Sequence, residues 1–130
     1  MEIGDKPPAK ATVAARQLWN DADVTLDKNH TYRLSAVGQW TDWYISCGPA
    51  GYASPNLVLR LAERLRRAPS QQWFALIGAI DQDPSTQFLI GTGCDYRPPR
   101  SGKLTCFAND VLGFYWNNKG QLELTIERVA

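Results

Sequence analysis

The sequence lacks several features that would point directly to a function. No apolar run approaches the roughly 18 residues of a membrane-spanning helix, so no membrane span is predicted. The 14 basic and 13 acidic residues leave a net charge of +1, which gives no reason to expect nucleic acid as a partner. There is one histidine, His30, and no serine lies in a Gly-x-Ser-x-Gly elbow. The residues therefore predict no enzyme, and a small hydrolase is the least favoured interpretation.

Cysteine is also scarce. Cys47, Cys94 and Cys106 match no zinc spacing, and their odd number argues against a disulfide framework. We expect reduced, packed thiols, which suit the cytoplasm. Residues 1–10 are polar, contain proline and lack the apolar stretch of a signal peptide. The sequence thus predicts a disordered leader over 1–10 and a protein that is cytoplasmic or released without a visible signal peptide.

The rest of the chain has the pattern of a single β-rich domain. Its length of 130 residues suits one domain. Between turn clusters, short runs have strand composition, and Tyr32, Leu34 and Ala36 alternate with polar neighbours. The predicted strands span 11–19, 24–26, 31–40, 73–80, 87–91, 103–108 and 121–129. Seven or eight strands predict an all-β, antiparallel β-sandwich over 11–130.

One helix is predicted within this pattern, over about 55–67. Ser54 is a good N-cap, and Pro55 suits the first helical position. Apolar and basic residues then fall on opposite faces of the helix. The apolar face carries Leu57, Val58, Leu61, Ala62 and Leu65. The basic residues predict the solvated face of an amphipathic helix.

Five Trp, five Tyr and four Phe make a rich aromatic set. Most of these side chains are expected in the core, Trp40 among them. One or two could form a stacking platform for a sugar.

The polar run from Asn109 to Asn118 is the most informative segment. Calcium binds six to eight oxygens from carboxylates, amide side chains, carbonyls and water. Asp110 supplies charge, and Asn117 and Asn118 supply amide oxygens. A second loop with Asp42 would have to contribute, because one carboxylate is too few for tight binding. The alternative is a plain hairpin, since Asn, Asp and Gly also favour turns.

The same run resembles the hairpin motif of the bacterial calcium-dependent galactose-binding lectins (LecA-like). That motif reads roughly N-D-x-x-G-x-Y-x-N-N-x-G. The positions in register are Asp110, Gly113, Tyr115, Asn117, Asn118 and Gly120. Two shorter matches, Gly38-x-Trp40 and Gly48-Pro49-x-Gly51, occur in the expected order.

The resemblance implies a jelly-roll-like sandwich, spanning roughly 11–129, with one calcium at its end. The side chains of Asp110, Asn117 and Asn118 and the carbonyl of Phe114 would hold the metal. A further carbonyl would come from Asp42 or Trp43, and two sugar hydroxyls would complete the coordination. The implied sugar-contacting residues are Trp43, Tyr44, Val111, Asn117 and Asp110.

The sequence departs from that family at one place. The lectins carry a histidine and a glutamine shortly after the Gly-Pro-x-Gly segment, where they bind the primary hydroxyl of galactose. This chain has Ala53-Ser54-Pro55-Asn56 there, followed by the predicted helix. The departure bears on galactose as the ligand more than on calcium.

Two functional hypotheses follow. The first is a calcium-dependent carbohydrate-binding module whose affinity gains from multivalency in a homo-oligomer. The second is a non-catalytic protein-interaction or accessory domain of a larger protein. It would keep a structural calcium and use the helix as its partner surface.

Overall fold

The structure is a computed structural model and describes residues 7–130. Two antiparallel sheets face each other across the main apolar core, which confirms the predicted all-β sandwich. The strands are β1 Ala9–Ala14, β2 Asn20–Leu26, β3 Tyr32–Asp42, β4 Ile45–Cys47, β5 Leu76–Ile80, β6 Phe88–Leu89, β7 Gly93–Tyr96, β8 Gly102–Ala108 and β9 Asn118–Arg128. The first sheet has the order β1-β9-β3-β4, with β7 also paired to β3, and the second has the order β2-β8-β5-β6.

The alternation of apolar and polar residues predicted from the sequence determines which side chains of the strands enter the core. Along β3, Tyr32, Leu34 and Ala36 are buried, and the residues between them are exposed. Trp40 is buried as expected, and its indole Nε1 donates to the Phe74 carbonyl at 3.1 Å. The three cysteines are free thiols, also as expected.

Several predicted boundaries were wrong. β1 starts at Ala9, inside the predicted leader, whose first six residues lie outside the described part of the chain. It also ends at Ala14, where a turn begins. The predicted strand at 73–80 starts only at Leu76, because Phe74 adopts a positive φ of 59°. β4 and β7 were missed because both are too short to show a clear alternation.

The predicted helix is much shorter than 55–67. α1 spans Leu57–Leu61, and a 3₁₀ turn at Glu63–Leu65 follows. Its N-cap is Asn56 rather than Ser54, since the Asn56 Oδ1 accepts from the Leu59 amide at 3.0 Å. No residue of α1 is buried, so its apolar face is not packed on the core. No helix within residues 7–130 has the length and apolar character needed to cross a membrane.

A buried asparagine ties the end of β8 to the segment before β5. The Asn109 Oδ1 accepts from the Ala68 amide at 2.9 Å. Its Nδ2 donates to the carbonyls of Ala68 and Gln72 at 2.9 Å and of Gln71 at 3.3 Å. The Asn109 carbonyl also accepts from the Phe74 amide at 2.8 Å. Asn109 is therefore a structural clamp that fixes the chain just before Asp110.

We predict that Asn109→Ala lowers the free energy of unfolding by about 2–4 kcal/mol, because it leaves buried groups of residue 68 without partners. Urea denaturation measures this change. Asn29→Ala, at an exposed asparagine, is the control and should change it by less than about 0.5 kcal/mol. A loss below about 1 kcal/mol for Asn109→Ala would show that the clamp is not needed.

Candidate functional site: a largely apolar cavity with a polar edge

The register of the first sheet brings two distant segments together. β3 and β9 pair along their whole length, and this pairing places Asp42 opposite Asn118. Beyond Asp42 the chain turns through Trp43 and Tyr44 into β4. The Trp43 amide donates to the Asn117 carbonyl at 3.2 Å. The hairpin between β3 and β4 is thereby joined to the start of β9.

The segment between β8 and β9 carries the predicted polar residues. Val111 and Phe114 close a turn through a 3.1 Å bond from the Phe114 amide to the Val111 carbonyl. A 3₁₀ turn at Tyr115–Asn117 follows, and the buried Tyr115 hydroxyl donates to the Ala108 carbonyl. These bonds hold Asp110 and Asn117 on opposite sides of one short loop.

The structure brings most of the predicted site residues to one cavity of about 540 Å³. The predicted residues that line it are Asp42, Trp43, Tyr44, Asp110, Val111, Phe114 and Asn117. Asn118 does not line the cavity, but it is only 1% exposed and lies beside Asp110.

Three buried oxygens at this site accept no hydrogen bond. They are Asp110 Oδ2, Asn117 Oδ1 and Asn118 Oδ1. The Asn118 Nδ2 donates to the Ala15 carbonyl at 3.1 Å, which fixes the orientation of that amide and directs Oδ1 away from Ala15. Buried acceptors without a donor are rare in folded proteins. Across residues 7–130, five buried side-chain nitrogen or oxygen atoms have no hydrogen-bond partner, and three of them belong to these residues.

The electrostatics of Asp110 are unfavourable in the absence of a cation. The side chain is 4% exposed, and burial together with the nearby Asp42 raises its pKa to about 6. The Val111 amide, which donates to Oδ1 at 2.7 Å, and the adjacent Asn118 oppose this shift but do not cancel it. Ionising the Asp110 carboxyl group costs free energy in this environment, and a bound cation would stabilise the ionised form.

Asp42 is the second carboxylate of the cavity. Burial raises its pKa, while a hydrogen bond from the Tyr52 hydroxyl lowers it. Burial and this bond to Asp42 raise the pKa of Tyr52, so the hydroxyl stays protonated and donates. The described residues contain no group of three or more His, Cys, Asp or Glu side chains fit for a metal. Amide and carbonyl oxygens would therefore have to supply most of the ligands.

The Gly48-Pro49-x-Gly51 segment explains how Tyr52 reaches Asp42. Gly51 has a φ of +78°, and an added Cβ would lie 2.2 Å from the Trp73 carbonyl, so this turn requires glycine. The Tyr52 amide then donates to the same Trp73 carbonyl at 2.8 Å. Tyr52 was not predicted as a site residue, although it directly follows the motif.

The apolar part of the cavity lining was also missed. It is formed by Val58 and Leu59 of α1, followed by Ala62 and Leu65, with Trp73 beside them. The sequence signal was present as the apolar stripe of the predicted helix. It was interpreted as an ordinary amphipathic pattern rather than as the lining of a site.

The residues that replace the sugar-binding pair of the lectins have structural roles. The Trp73 indole donates to the Ser54 Oγ at 2.8 Å, and Ser54 in turn donates to Glu63. Asn56 caps α1. Ser54 and the Asn56 Oδ1 thus help to hold the helical segment in place, and Asn56 also lines the cavity.

Comparisons with known proteins agree with the fold. No protein-family model and no curated protein sequence matches the chain. Among solved structures, it is similar to the N-terminal domain of EclA, described as a PllA-like lectin. The TM-score is 0.68 at 16% identity, and the match covers 92% of this chain and 95% of that chain. At this identity the likeness shows a shared fold and no more.

The raised pKa of Asp110 makes a prediction about the metal-free protein. A carboxyl pKa of about 6 in the folded state, against 3.8 as the ordinary value, stabilises the fold at low pH and loses that effect as the pH rises through 6. In chelator, Asp110→Asn should therefore become more stable than the wild type as the pH rises from about 4 to about 7. The relative gain should reach up to about 3 kcal/mol.

Denaturant unfolding at each pH measures this difference. Asp95→Asn removes an exposed carboxylate paired with Arg33 and is the matched control. It should change stability by less than about 1 kcal/mol. If Asp110→Asn shows no trend with pH, the carboxylate is not buried against a second charge as described.

Proposed function

We propose that this protein is a non-catalytic, calcium-dependent carbohydrate-binding module. The observation that carries the proposal is the set of three donorless oxygens on Asp110, Asn117 and Asn118. These are the side chains that the sequence motif assigned to calcium. Oxygen-only ligands of this kind suit a hard cation such as calcium.

The number of available ligands also suits calcium with an open side. The three side chains, the Asp42 segment and the carbonyl of Phe114 together fall short of the six to eight oxygens that calcium takes. Water or two neighbouring hydroxyls of a sugar would fill the remaining positions. Bound calcium would neutralise the two carboxylates and supply the positive centre to which the hydroxyls coordinate.

Aromatic side chains beside these ligands support a sugar as the second component. Trp43 and Tyr44 are exposed and in edge-to-face contact, with ring centroids 4.7 Å apart. Trp43 has a φ of 56°, a conformation that few bulky residues adopt and that is found often at functional sites. The lectin description of EclA's domain is consistent with the proposal. A galactose-like sugar is the first to test, and a homo-oligomer would raise avidity.

The proposal predicts glycan binding that needs both the metal and the aromatic wall. On a glycan array, the wild-type protein in calcium should bind one sugar class, and chelator or Asp110→Asn should abolish the signal. Trp43→Ala should weaken glycan binding about tenfold and leave calcium binding intact, because stacking rather than coordination is lost.

Trp116→Ala is the matched control, since Trp116 is equally exposed but does not line the cavity. A blank array combined with a calcium-dependent rise in melting temperature would contradict the lectin proposal. That result would favour the second candidate.

The second candidate is a protein-interaction domain with a structural calcium. One observation favours it, namely that no residue of α1 is buried and that Leu57, Val58 and Leu61 are largely exposed. Large exposed apolar patches in soluble proteins commonly mark binding surfaces.

A further inference from the structure

The outward face of α1 carries side chains that the cavity does not use. Val58 and Leu59 of α1 line the cavity, whereas Leu57 and Leu61 do not. Leu57 and Leu61 are 67% and 70% exposed. Residues four apart share one face of a helix, so the two leucines project together from a side of α1 that does not line the cavity.

Two arginines lie on the same face as these leucines. Arg60 follows Leu57 by three residues, and Arg64 follows Leu61 by three, which is the spacing of neighbours on a helical face. Both arginines are exposed. Among residues 7–130, neither of them forms an ion pair. The face therefore presents two leucines flanked by two unpaired positive charges.

The charge of the surrounding segment has the same sign. Residues 56–67 contain four arginines and one acidic residue, Glu63, to which the Ser54 hydroxyl donates. Arg66 and Arg67 each donate to a backbone carbonyl at 2.6 Å, so both are held by the fold. The two arginines beside the leucines are left for an outside partner. That partner should be anionic, because charge complementarity favours it.

A second apolar projection lies beside α1. Leu112 and Phe114 flank Gly113 and are 63% and 54% exposed. Apart from the adjacent residues, no atom lies within 4 Å of a Cβ built at Gly113, so the tip of this turn stands in open space. The bridge between Arg66 and Val111 places the turn next to the helical segment. Two neighbouring projections thus expose apolar side chains.

We propose that these two projections dock the protein on an anionic lipid surface. Leu57, Leu61 and Leu112 enter the boundary between head groups and acyl chains, and Arg60 and Arg64 bind lipid phosphates. Apolar side chains beside free basic groups are the pattern of segments that bind membrane surfaces.

A lipid surface suits the two projections better than an acidic protein does. A fluid surface accepts separate apolar tips, whereas a protein partner has to match the shape of both projections at once. The docking goes beyond the proposed function, because it needs neither calcium nor a sugar.

Co-sedimentation in chelator, with vesicles that contain no glycolipid, tests the docking. The wild-type protein should bind equimolar phosphatidylcholine–phosphatidylserine vesicles about tenfold or more tighter than pure phosphatidylcholine vesicles. Arg60→Gln combined with Arg64→Gln should weaken binding to the anionic vesicles about thirtyfold. Leu57→Ser combined with Leu61→Ser should weaken it about tenfold or more, because the inserted apolar surface is lost.

Matched controls remove the same chemistry elsewhere. Lys28 and Arg97 are exposed at the end of β3 away from Asp42, where the Arg97 Nε donates to the Lys28 carbonyl at 2.9 Å. Lys28→Gln with Arg97→Gln removes two charges there, and Val37→Ser with Leu89→Ser removes two exposed apolar side chains of β3 and β6. Both double variants should bind the anionic vesicles within about threefold of the wild type. None of the substituted side chains is buried, so every variant should keep the wild-type melting temperature.

Four results would overturn the inference. Absence of vesicle binding in chelator leaves an acidic protein surface as the occupant. Equal binding to neutral and anionic vesicles removes the role of the arginines, and controls as weak as the α1 variants remove the role of this face. If Leu57→Ser with Leu61→Ser converts a dimer to a monomer in sedimentation velocity, a second copy of the chain covers the face instead. Glycan binding is measured separately on the array, so the docking and the proposed function fail independently.

Discussion

A desolvated carboxylate beside a second carboxylate is the constraint on which this end of the molecule depends. Asp110 is buried within the influence of Asp42, and its Oδ2 receives no hydrogen bond. The neighbouring amide oxygens of Asn117 and Asn118 are in the same condition. Each of these groups costs free energy in isolation. A hard cation would stabilise all three oxygens together, which gives a physical reason for their clustering.

The neighbouring Asn109 differs from Asp110 in its hydrogen bonding. Asn109 and Asp110 are adjacent, and both are buried. The Asn109 side chain has partners for its oxygen and for its amide nitrogen, so the fold can satisfy a buried polar group at this position. The Asp110 Oδ2 is also buried but has no hydrogen-bond partner. Asn109 therefore has a structural role in the loop, whereas the Asp110 Oδ2 is left available to a ligand.

The sandwich explains why these residues meet. The pairing of β3 with β9 places Asp42 opposite Asn118, although the two residues are far apart in the chain. The turn at Gly51 places Tyr52 next to Asp42. The cavity is thus assembled by the register of one sheet and by one glycine turn. Its apolar wall is added by a separate segment, α1, which contributes nothing to the main core.

The polar side of the cavity was predictable from the sequence because its residues lie in one short motif. Asp110, Asn117 and Asn118 fall within ten residues of each other, in the segment that connects β8 to β9. These two strands belong to different sheets, so the segment is a crossover between the sheets and the expected hairpin was wrong. The strand pattern was equally readable, since Tyr32, Leu34 and Ala36 alternate clearly. The apolar wall was not predictable in this way. Periodicity shows that Val58 and Leu65 share a face, but it cannot show whether that face meets the core, a partner or a cavity.

Tyr52 and the α1 N-cap illustrate the same limit. The hydrogen bond from Tyr52 to Asp42 depends on a turn at Gly51, which has a positive φ. The Trp73 carbonyl accepts from the Tyr52 amide and so fixes the course of the chain after that turn. Ser54 looks like a better start for a helix because Pro55 follows it. In the folded chain Ser54 is instead engaged by Trp73, so the role passes to Asn56. Tertiary contacts decided both outcomes.

A crystal structure of the protein grown with millimolar calcium tests the central claim most directly. The account predicts one calcium ion within about 2.3–2.6 Å of Asp110 Oδ2, Asn117 Oδ1 and Asn118 Oδ1. Asp110→Asn crystals grown in the same way should show weakened or absent density at that place. Wild-type density that shows these oxygens bound only to water or to backbone amides, with no metal among them, would contradict the account.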